Sequence, residues 1–178
     1  MTSDYFEFFG LPRSLVVDLK DLEQRFYALS RQWHPDRFAR RSAAEKEESL
    51  QATAILNDGY RTLRDPVARL MYLLKLEGFD VGEQGTKDVP PDLLEEVFEL
   101  NMAIEELKEG DESALPQLAA ARHRFEGMRD ELDREMQQKF GDWDAGHDRA
   151  TLADLRALLN RRKYITNLIG QTHVPDRV

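Results

Sequence analysis

The sequence contains no cysteine among its 178 residues. Disulfide bonds and thiolate-ligated zinc sites are therefore excluded. The lack of thiols fits a reducing compartment, and we predict a cytoplasmic protein.

Long hydrophobic runs are also missing. No stretch approaches the roughly 20 consecutive apolar residues that a membrane-spanning helix needs. The N-terminal segment MTSDYFEFFG has no basic residue ahead of its apolar part, unlike a secretory signal. We therefore predict no membrane association.

Residues that bind metals or perform catalysis are scattered. The four histidines, His34, His123, His147 and His173, show no paired spacing on one helix. The sequence has neither a glycine-rich phosphate loop nor a nucleophile elbow. Acidic runs such as Glu95-Glu96 are more often solvated helix faces than acid–base pairs. We therefore predict no metal site, no cofactor and no enzymatic activity.

Charge is distributed unevenly along a chain whose net charge is −9. Residues 1–76 carry 12 Lys and Arg against 11 Asp and Glu, whereas residues 77–178 carry 13 against 23. This asymmetry indicates two modules with different partners. The acidic module would repel phosphates, so we predict no nucleic-acid partner.

The spacing of apolar residues predicts an all-α fold. From Leu19 to Trp33 apolar side chains recur every three or four positions, and Asp18 can cap this helix. Because Pro35 disfavours helical geometry at His34, the helix is expected to end there.

A second long helix follows this one. Ser42 and Glu45 form a capping-box pattern at its start. Its predicted inner face comprises Ala52, Leu56, Gly59, Tyr60 and Leu63. The two helices are expected to pair in an antiparallel hairpin, and a further helix runs from Asp65-Pro66 to about Gly78.

Three more amphipathic helices begin near Asp92, Ser113 and Leu152 and predict an antiparallel three-helix bundle. A loop around Trp143 is expected between Gly141 and Gly146. The predicted divisions of the chain are an N-terminal hairpin domain at 1–77, a linker at 78–91, the bundle at 92–170 and a tail at 171–178.

The segment SRQWHPDRFARRSAAE carries the strongest motif in the sequence. Its tripeptide His34-Pro35-Asp36 joins the paired helices, with a basic helix face before it and several arginines after it. On these features, residues 4–76 resemble the J-domain of DnaJ-type co-chaperones, whose hallmark is this tripeptide at the tip of a helical hairpin. The resemblance implies that the domain binds a heat-shock protein 70-class ATPase, HscA-like or DnaK-like, and stimulates its ATP hydrolysis. The residues expected to contact that ATPase are His34, Pro35, Asp36, Arg31, Arg37, Arg25 and Tyr27.

The rest of the chain resembles a narrower group of J-proteins. The stretch RLMYLLKLEGFDV, followed by an acidic helical bundle, is similar to the HscB-type co-chaperones of iron–sulfur cluster assembly, and the likeness extends from about Asp4 to about Ile169. It implies that the bundle delivers the IscU-like cluster scaffold protein to the chaperone ATPase. The chain itself offers no thiolate to a cluster.

The resemblance also implies a contact face for the scaffold. The matching positions are Leu94, Phe98, Glu99, Met102, Glu106 and Tyr164. Three of them, Leu94, Phe98 and Met102, are spaced by four and share one side of a helix. Glu95 and Met102 depart from the family's pattern, in which an apolar residue and an acid are common at these positions.

Two alternatives remain open for this part of the chain. Apolar helical stripes are usually buried, so the first alternative is that Phe98 and Met102 are core residues. The second is a J-domain co-chaperone whose bundle delivers a different client protein.

Overall fold

The computed structural model describes residues 4–80 and 89–173. All regular structure in these residues is helical, which confirms the predicted all-α fold. The helices are α1 (Tyr5–Phe9), α2 (Leu19–Gln32), α3 (Pro35–Phe38), α4 (Ala43–Arg64), α5 (Pro66–Leu76), α6 (Leu94–Lys108), α7 (Leu115–Gly146) and α8 (Arg149–Gln171). None of these described helices is both long enough and apolar enough to cross a membrane.

The chain divides into two compact units. The first contains α1 to α5 together with Phe140–His147, and the second contains α6, α8 and the rest of α7. The predicted linker at 78–91 and tail at 171–178 fall largely on residues 81–88 and 174–178, which lie outside the described residues. The predicted domain boundaries stay a prediction.

In the first unit, the ends of the long helices follow the predicted capping chemistry. The Asp18 carboxylate accepts hydrogen bonds from the Lys20 and Asp21 amides at 2.8 and 3.3 Å, which starts α2. Ser42 and Glu45 form both hydrogen bonds of a capping box, which starts α4.

The inner face of α4 differs from the prediction at two positions, Ser49 and Tyr60. The buried residues are Ser49, Ala52, Leu56, Gly59 and Leu63. Tyr60, predicted on this face, is only half-buried and stacks on Phe26 of α2 with ring centroids 4.3 Å apart. Ser49 takes the additional buried position because it lies one helical turn before Ala52.

The predicted loop around Trp143 is wrong, because α7 continues through this region to Gly146. Phe140 and Trp143 are buried at helical spacing, so their burial outweighs the low helix propensity of Gly141. Asp144, one residue further, accepts hydrogen bonds from the backbone amides of Leu15 and Val16 at 2.7 and 2.8 Å. These hydrogen bonds connect the end of α7 to the segment that precedes α2.

In the second unit, a short 3₁₀ turn at Pro91–Leu93 precedes α6. The Arg161 guanidinium of α8 pairs with the Asp92 carboxylate at this turn, and this hydrogen-bonded pair lowers the pKa of Asp92. A second pair joins Arg162 of α8 to Asp133 of α7. The core between these helices comprises Leu93, Leu100, Ala103, Ala114, Leu118, Ala121, Phe125, Leu132, Ile165, Leu168 and Ile169.

Candidate functional site

The tripeptide His34-Pro35-Asp36 forms the start of a short helix. The sequence predicts that α2 ends at His34, and α2 does end just before it, at Gln32. The connection to α4 then contains the one-turn helix α3, which was not predicted. Pro35 is its first residue, where the fixed φ of proline suits a helix and its missing N–H is not needed. His34 caps the helix, with its Nδ1 accepting a hydrogen bond from the Asp36 amide at 3.3 Å.

The two polar side chains of the tripeptide are open to solvent. The His34 side chain is 54% exposed and the Asp36 side chain 91% exposed. The Asp36 carboxylate lies 3.5 Å from His34 Nδ1, so the two groups present one compact polar surface.

Neighbouring residues hold this surface in place from both sides. The carbonyl of Trp33 at the end of α2 accepts hydrogen bonds from the Ser49 hydroxyl at 2.8 Å and the Thr53 hydroxyl at 3.3 Å, both on α4. The indole of Trp33 stacks on Phe38 of α3, with ring centroids 6.0 Å apart and planes 8° from parallel. Sequence analysis missed this support, although Ser49 is in register with the predicted inner face of α4.

The predicted basic residues differ in what they contact. Arg31 and Arg37 are exposed, and Arg37 Nη1 donates to the carbonyl of Arg31 at 3.1 Å, next to the tripeptide. Arg25 instead donates to the carbonyls of Phe9 and Gly10 at 3.1 and 3.0 Å, where it satisfies the end of α1.

Tyr27 lies on the outer face of α2 and is exposed. Its ring contacts the edge of Phe26 at a centroid distance of 5.6 Å. The structure thus places Tyr27, Arg31, Arg37 and the tripeptide on accessible surface. Arg25, whose side chain is 39% exposed, also stabilises the end of α1.

The first helix of the second unit carries an exposed apolar face. Leu94 is 55% exposed, Phe98 66% and Met102 48%, and the spacing of four places them on one side of α6. The alternative that Phe98 and Met102 are core residues is therefore wrong. The core side of α6 is formed by Leu100 and Ala103 instead.

A groove of about 420 Å³ lies between α6 and α7. Its lining comprises Phe98, Glu99, Met102, Gln117, Ala120, Ala121 and Arg124. Arg124 Nη2 donates to Glu99 Oε2 at 2.7 Å and so links the two helices. The sequence did not predict that Gln117 and Arg124 line this groove, because nothing in it distinguishes them from the other polar residues of α7.

The other predicted scaffold contacts lie outside the lining of this groove. Glu106 is half-buried near the end of α6. Tyr164 is half-buried on α8 and packs against the core of the second unit, and this burial raises the pKa of its hydroxyl. The structure therefore brings Phe98, Glu99 and Met102 together in one groove.

Possible metal ligands are not clustered. Within the described parts of the chain, no group of three His, Asp or Glu side chains is arranged to hold a metal ion.

Comparisons with known proteins agree on one family. Residues 89–172 match the HSCB C-terminal oligomerisation domain. A curated relative from Aromatoleum aromaticum, the Co-chaperone protein HscB homolog, is 36% identical over 157 residues, which cover 87% of this chain and 85% of the relative.

Solved structures give the same result. The chaperone HscB from Vibrio cholerae is 28% identical with a TM-score of 0.66, and the match covers 95% of this chain and 94% of that one. The human co-chaperone protein HscB is 29% identical with a TM-score of 0.70, covering 95% of this chain and 80% of that one. The chain belongs to the HscB family of co-chaperones, which act in iron–sulfur cluster assembly.

Proposed function

We propose that this chain binds an HscA-like heat-shock protein 70-class ATPase through α2 and α3, binds an IscU-like scaffold protein through α6, and stimulates ATP hydrolysis by the first partner. The chain performs no catalysis itself and works in the cytoplasm. The observation that carries this proposal is the exposed His34-Asp36 pair, held on a fixed support at the tip of the α2–α4 hairpin.

The stimulation would arise from differential binding. A partner's conformational equilibrium shifts only if a ligand binds one of its states more tightly than the other. His34 and Asp36 offer directional hydrogen-bonding groups, and because α3 and the contacts of Trp33 already order them, little conformational entropy is lost on binding. The exposed Arg31 and Arg37 would steer the hairpin towards an acidic partner surface.

The scaffold half of the proposal rests on the surface chemistry of α6. Leu94, Phe98 and Met102 expose apolar area on a helix whose other face already packs in a core. Such a surplus of exposed large apolar residues is typical of a protein-binding surface. Exposed glutamates beside this face, such as Glu95 and Glu99, favour a partner with basic residues.

The proposal is tested by steady-state ATP turnover of the HscA-like ATPase with and without this protein and the IscU-like scaffold. We expect His34→Gln to abolish the stimulation, because the substitution removes the imidazole from an exposed surface. Folding should be unaffected, and so should scaffold binding. His123→Gln is a matched control, since His123 is an exposed histidine of the second unit.

Two results would contradict this proposal. Full stimulation by a folded His34→Gln variant would show that the tripeptide is not the contact. ATP turnover by the purified chain alone would contradict its assignment as a protein without catalytic activity.

A further inference from the structure

The ion pair between Glu99 and Arg124 borders the groove of the second unit. It joins α6 to α7 with a short contact of 2.7 Å, and about half of each side chain is exposed. Exposed ion pairs of this kind contribute little to folding stability. What the pair does determine is the position of the Glu99 carboxylate beside the groove.

The remaining lining is mostly apolar. Phe98 and Met102 contribute large side chains from α6, while Ala120 and Ala121 leave open space on α7. The volume of about 420 Å³ lies within the range of roughly 300–1,000 Å³ over which pockets bind small ligands, so partner side chains can enter. The groove therefore suits an apolar side chain whose neighbour is polar.

Charge identifies the class of that neighbour. Helix α6 carries five glutamates and one lysine, and Glu99 supplies the carboxylate in the groove lining. A carboxylate can accept hydrogen bonds at both oxygens, and Arg124 contacts Oε2. A lysine or arginine of the partner could then donate to the same carboxylate without displacing Arg124.

We propose that Arg124 is a positioning residue for scaffold binding. It holds Glu99 beside the groove, where Glu99 accepts a hydrogen bond from a basic residue of the scaffold that adjoins an apolar anchor. This inference rests on the proposed function, because it assigns to the scaffold the surface that contains Phe98. Glu99 touches the partner, and Arg124 acts through Glu99.

The physical reason is preorganisation. A glutamate on an exposed helix face samples several rotamers, and fixing it at an interface costs conformational entropy. Arg124 has already restricted the side chain in the free protein. Because Glu99 has already lost part of its rotamer freedom when the protein folds, it loses less on binding. The affinity for the scaffold is correspondingly higher.

The test is the affinity of the full chain for the purified apo form of the IscU-like scaffold, measured by titration calorimetry. We expect Arg124→Met, which keeps the apolar stem and removes the charge, to weaken binding by roughly 3- to 10-fold. Arg124→Lys should stay within about 2-fold of the native chain because it can still pair with Glu99. Arg122→Met is the matched control, since Arg122 pairs with Glu126 elsewhere on α7.

A charge swap separates positioning from mere structural support. The double variant Glu99→Arg with Arg124→Glu can rebuild an ion pair between the helices but removes the carboxylate from α6. We expect it to bind at least as weakly as Arg124→Met. Native affinity in this variant would overturn the proposal, because it would show that only the link between the helices matters.

Phe98→Ala distinguishes failure of this inference from failure of the proposed function. If Phe98→Ala weakens binding and Arg124→Met does not, Arg124 is not a positioning residue and the proposed scaffold surface stands. If neither variant changes the affinity, the proposed scaffold surface is wrong and the inference falls with it. An equal loss in Arg124→Lys and Arg124→Met would also overturn the inference.

Discussion

A single buried hydroxyl stabilises the end of α2 next to the tripeptide. Ser49 is 1% exposed and donates to the carbonyl of Trp33, the residue that directly precedes His34. Carbonyls at a helix end have no partner within the helix, so this hydrogen bond replaces one that water would otherwise supply. The hydroxyl therefore links the core of the hairpin to the position of the tripeptide.

Replacement of this hydroxyl tests the link. We expect Ser49→Ala to lower the free energy of unfolding by about 1 kcal/mol, because one buried hydrogen bond is lost while the Thr53 hydroxyl keeps its contact. Chemical denaturation measures this change. Thr166→Ala is the control, since Thr166 makes a similar bond to a helix carbonyl at an exposed position. An unchanged unfolding energy for Ser49→Ala would show that Thr53 alone satisfies the carbonyl of Trp33.

At this scale, caps could be predicted and the contact made by Ser49 could not. Asp18 and Ser42 act on amides two or three positions along the same helix, so sequence spacing reveals them. Ser49 acts on a carbonyl 16 positions away, which becomes a neighbour only after α2 and α4 have paired. The Glu99–Arg124 pair is hidden for the same reason.

At the scale of elements, two glycines show why helix packing overrides local propensity. A Cβ placed on Gly59 of α4 would lie 2.9 Å from a ring atom of Phe9 and 3.2 Å from the ring of Tyr5, both on α1. Gly127 lies in the interior of α7, where, apart from its chain neighbours and the adjacent helix backbone, no atom would come within 4 Å of the added Cβ. Gly59 therefore permits close packing of α4 against α1, whereas Gly127 is not required for helix packing.

The two positions should respond oppositely to alanine. We expect Gly127→Ala to raise the free energy of unfolding by about 0.5–1 kcal/mol, because alanine is the better helix former. Gly59→Ala should lower it by about 1–3 kcal/mol, because the buried ring of Phe9 cannot move away from the added methyl group. Denaturant titration of both variants measures these changes in the free energy of unfolding. A stabilised Gly59→Ala variant would show that α1 can shift to accommodate the added methyl group.

Two features of the elements differ from the prediction: the position at which α7 ends and the presence of α3. The residues Leu132, Met136, Phe140 and Trp143 continue one apolar stripe of α7 across the region predicted as a loop. The two glycines predict a loop in this region, but α7 remains helical because the helix buries this apolar stripe. At α3 a helix is present where none was predicted: Pro35 ends α2 at the preceding residues, and it also favours the first position of a new helix.

At the scale of the whole molecule, the first unit includes residues from two distant parts of the chain. Asp144, near the end of α7, accepts hydrogen bonds from the Leu15 and Val16 amides and from the Ser14 hydroxyl. All four residues belong to the first unit. The all-α class and the family could be predicted from sequence, because periodicity and the tripeptide are local signals. The contribution of residues 140–147 to the first unit could not be predicted, because it joins segments about 130 positions apart.

Loss of the Asp144 carboxylate should weaken the first unit. We expect Asp144→Ala to lower the free energy of unfolding by about 1–3 kcal/mol, because three donors lose a charged acceptor. Amide hydrogen exchange at Leu15 and Val16 should become faster. Asp142→Ala is the matched control, being an exposed aspartate on the same helix. Unchanged exchange at Leu15 in the Asp144 variant would contradict the role given to this carboxylate.

The first unit is built from two separate segments of the chain, and this affects the design of chimaeric proteins. A chimaera that replaces residues 1–81 with the hairpin domain of another J-protein retains Phe140–His147, which belongs to the first unit and contains Asp144. Such a graft exchanges only part of a folding unit, and Asp144 then has to meet a foreign backbone where Leu15 and Val16 once lay. Replacement of the first unit of this chain is therefore expected to succeed when both segments are exchanged together.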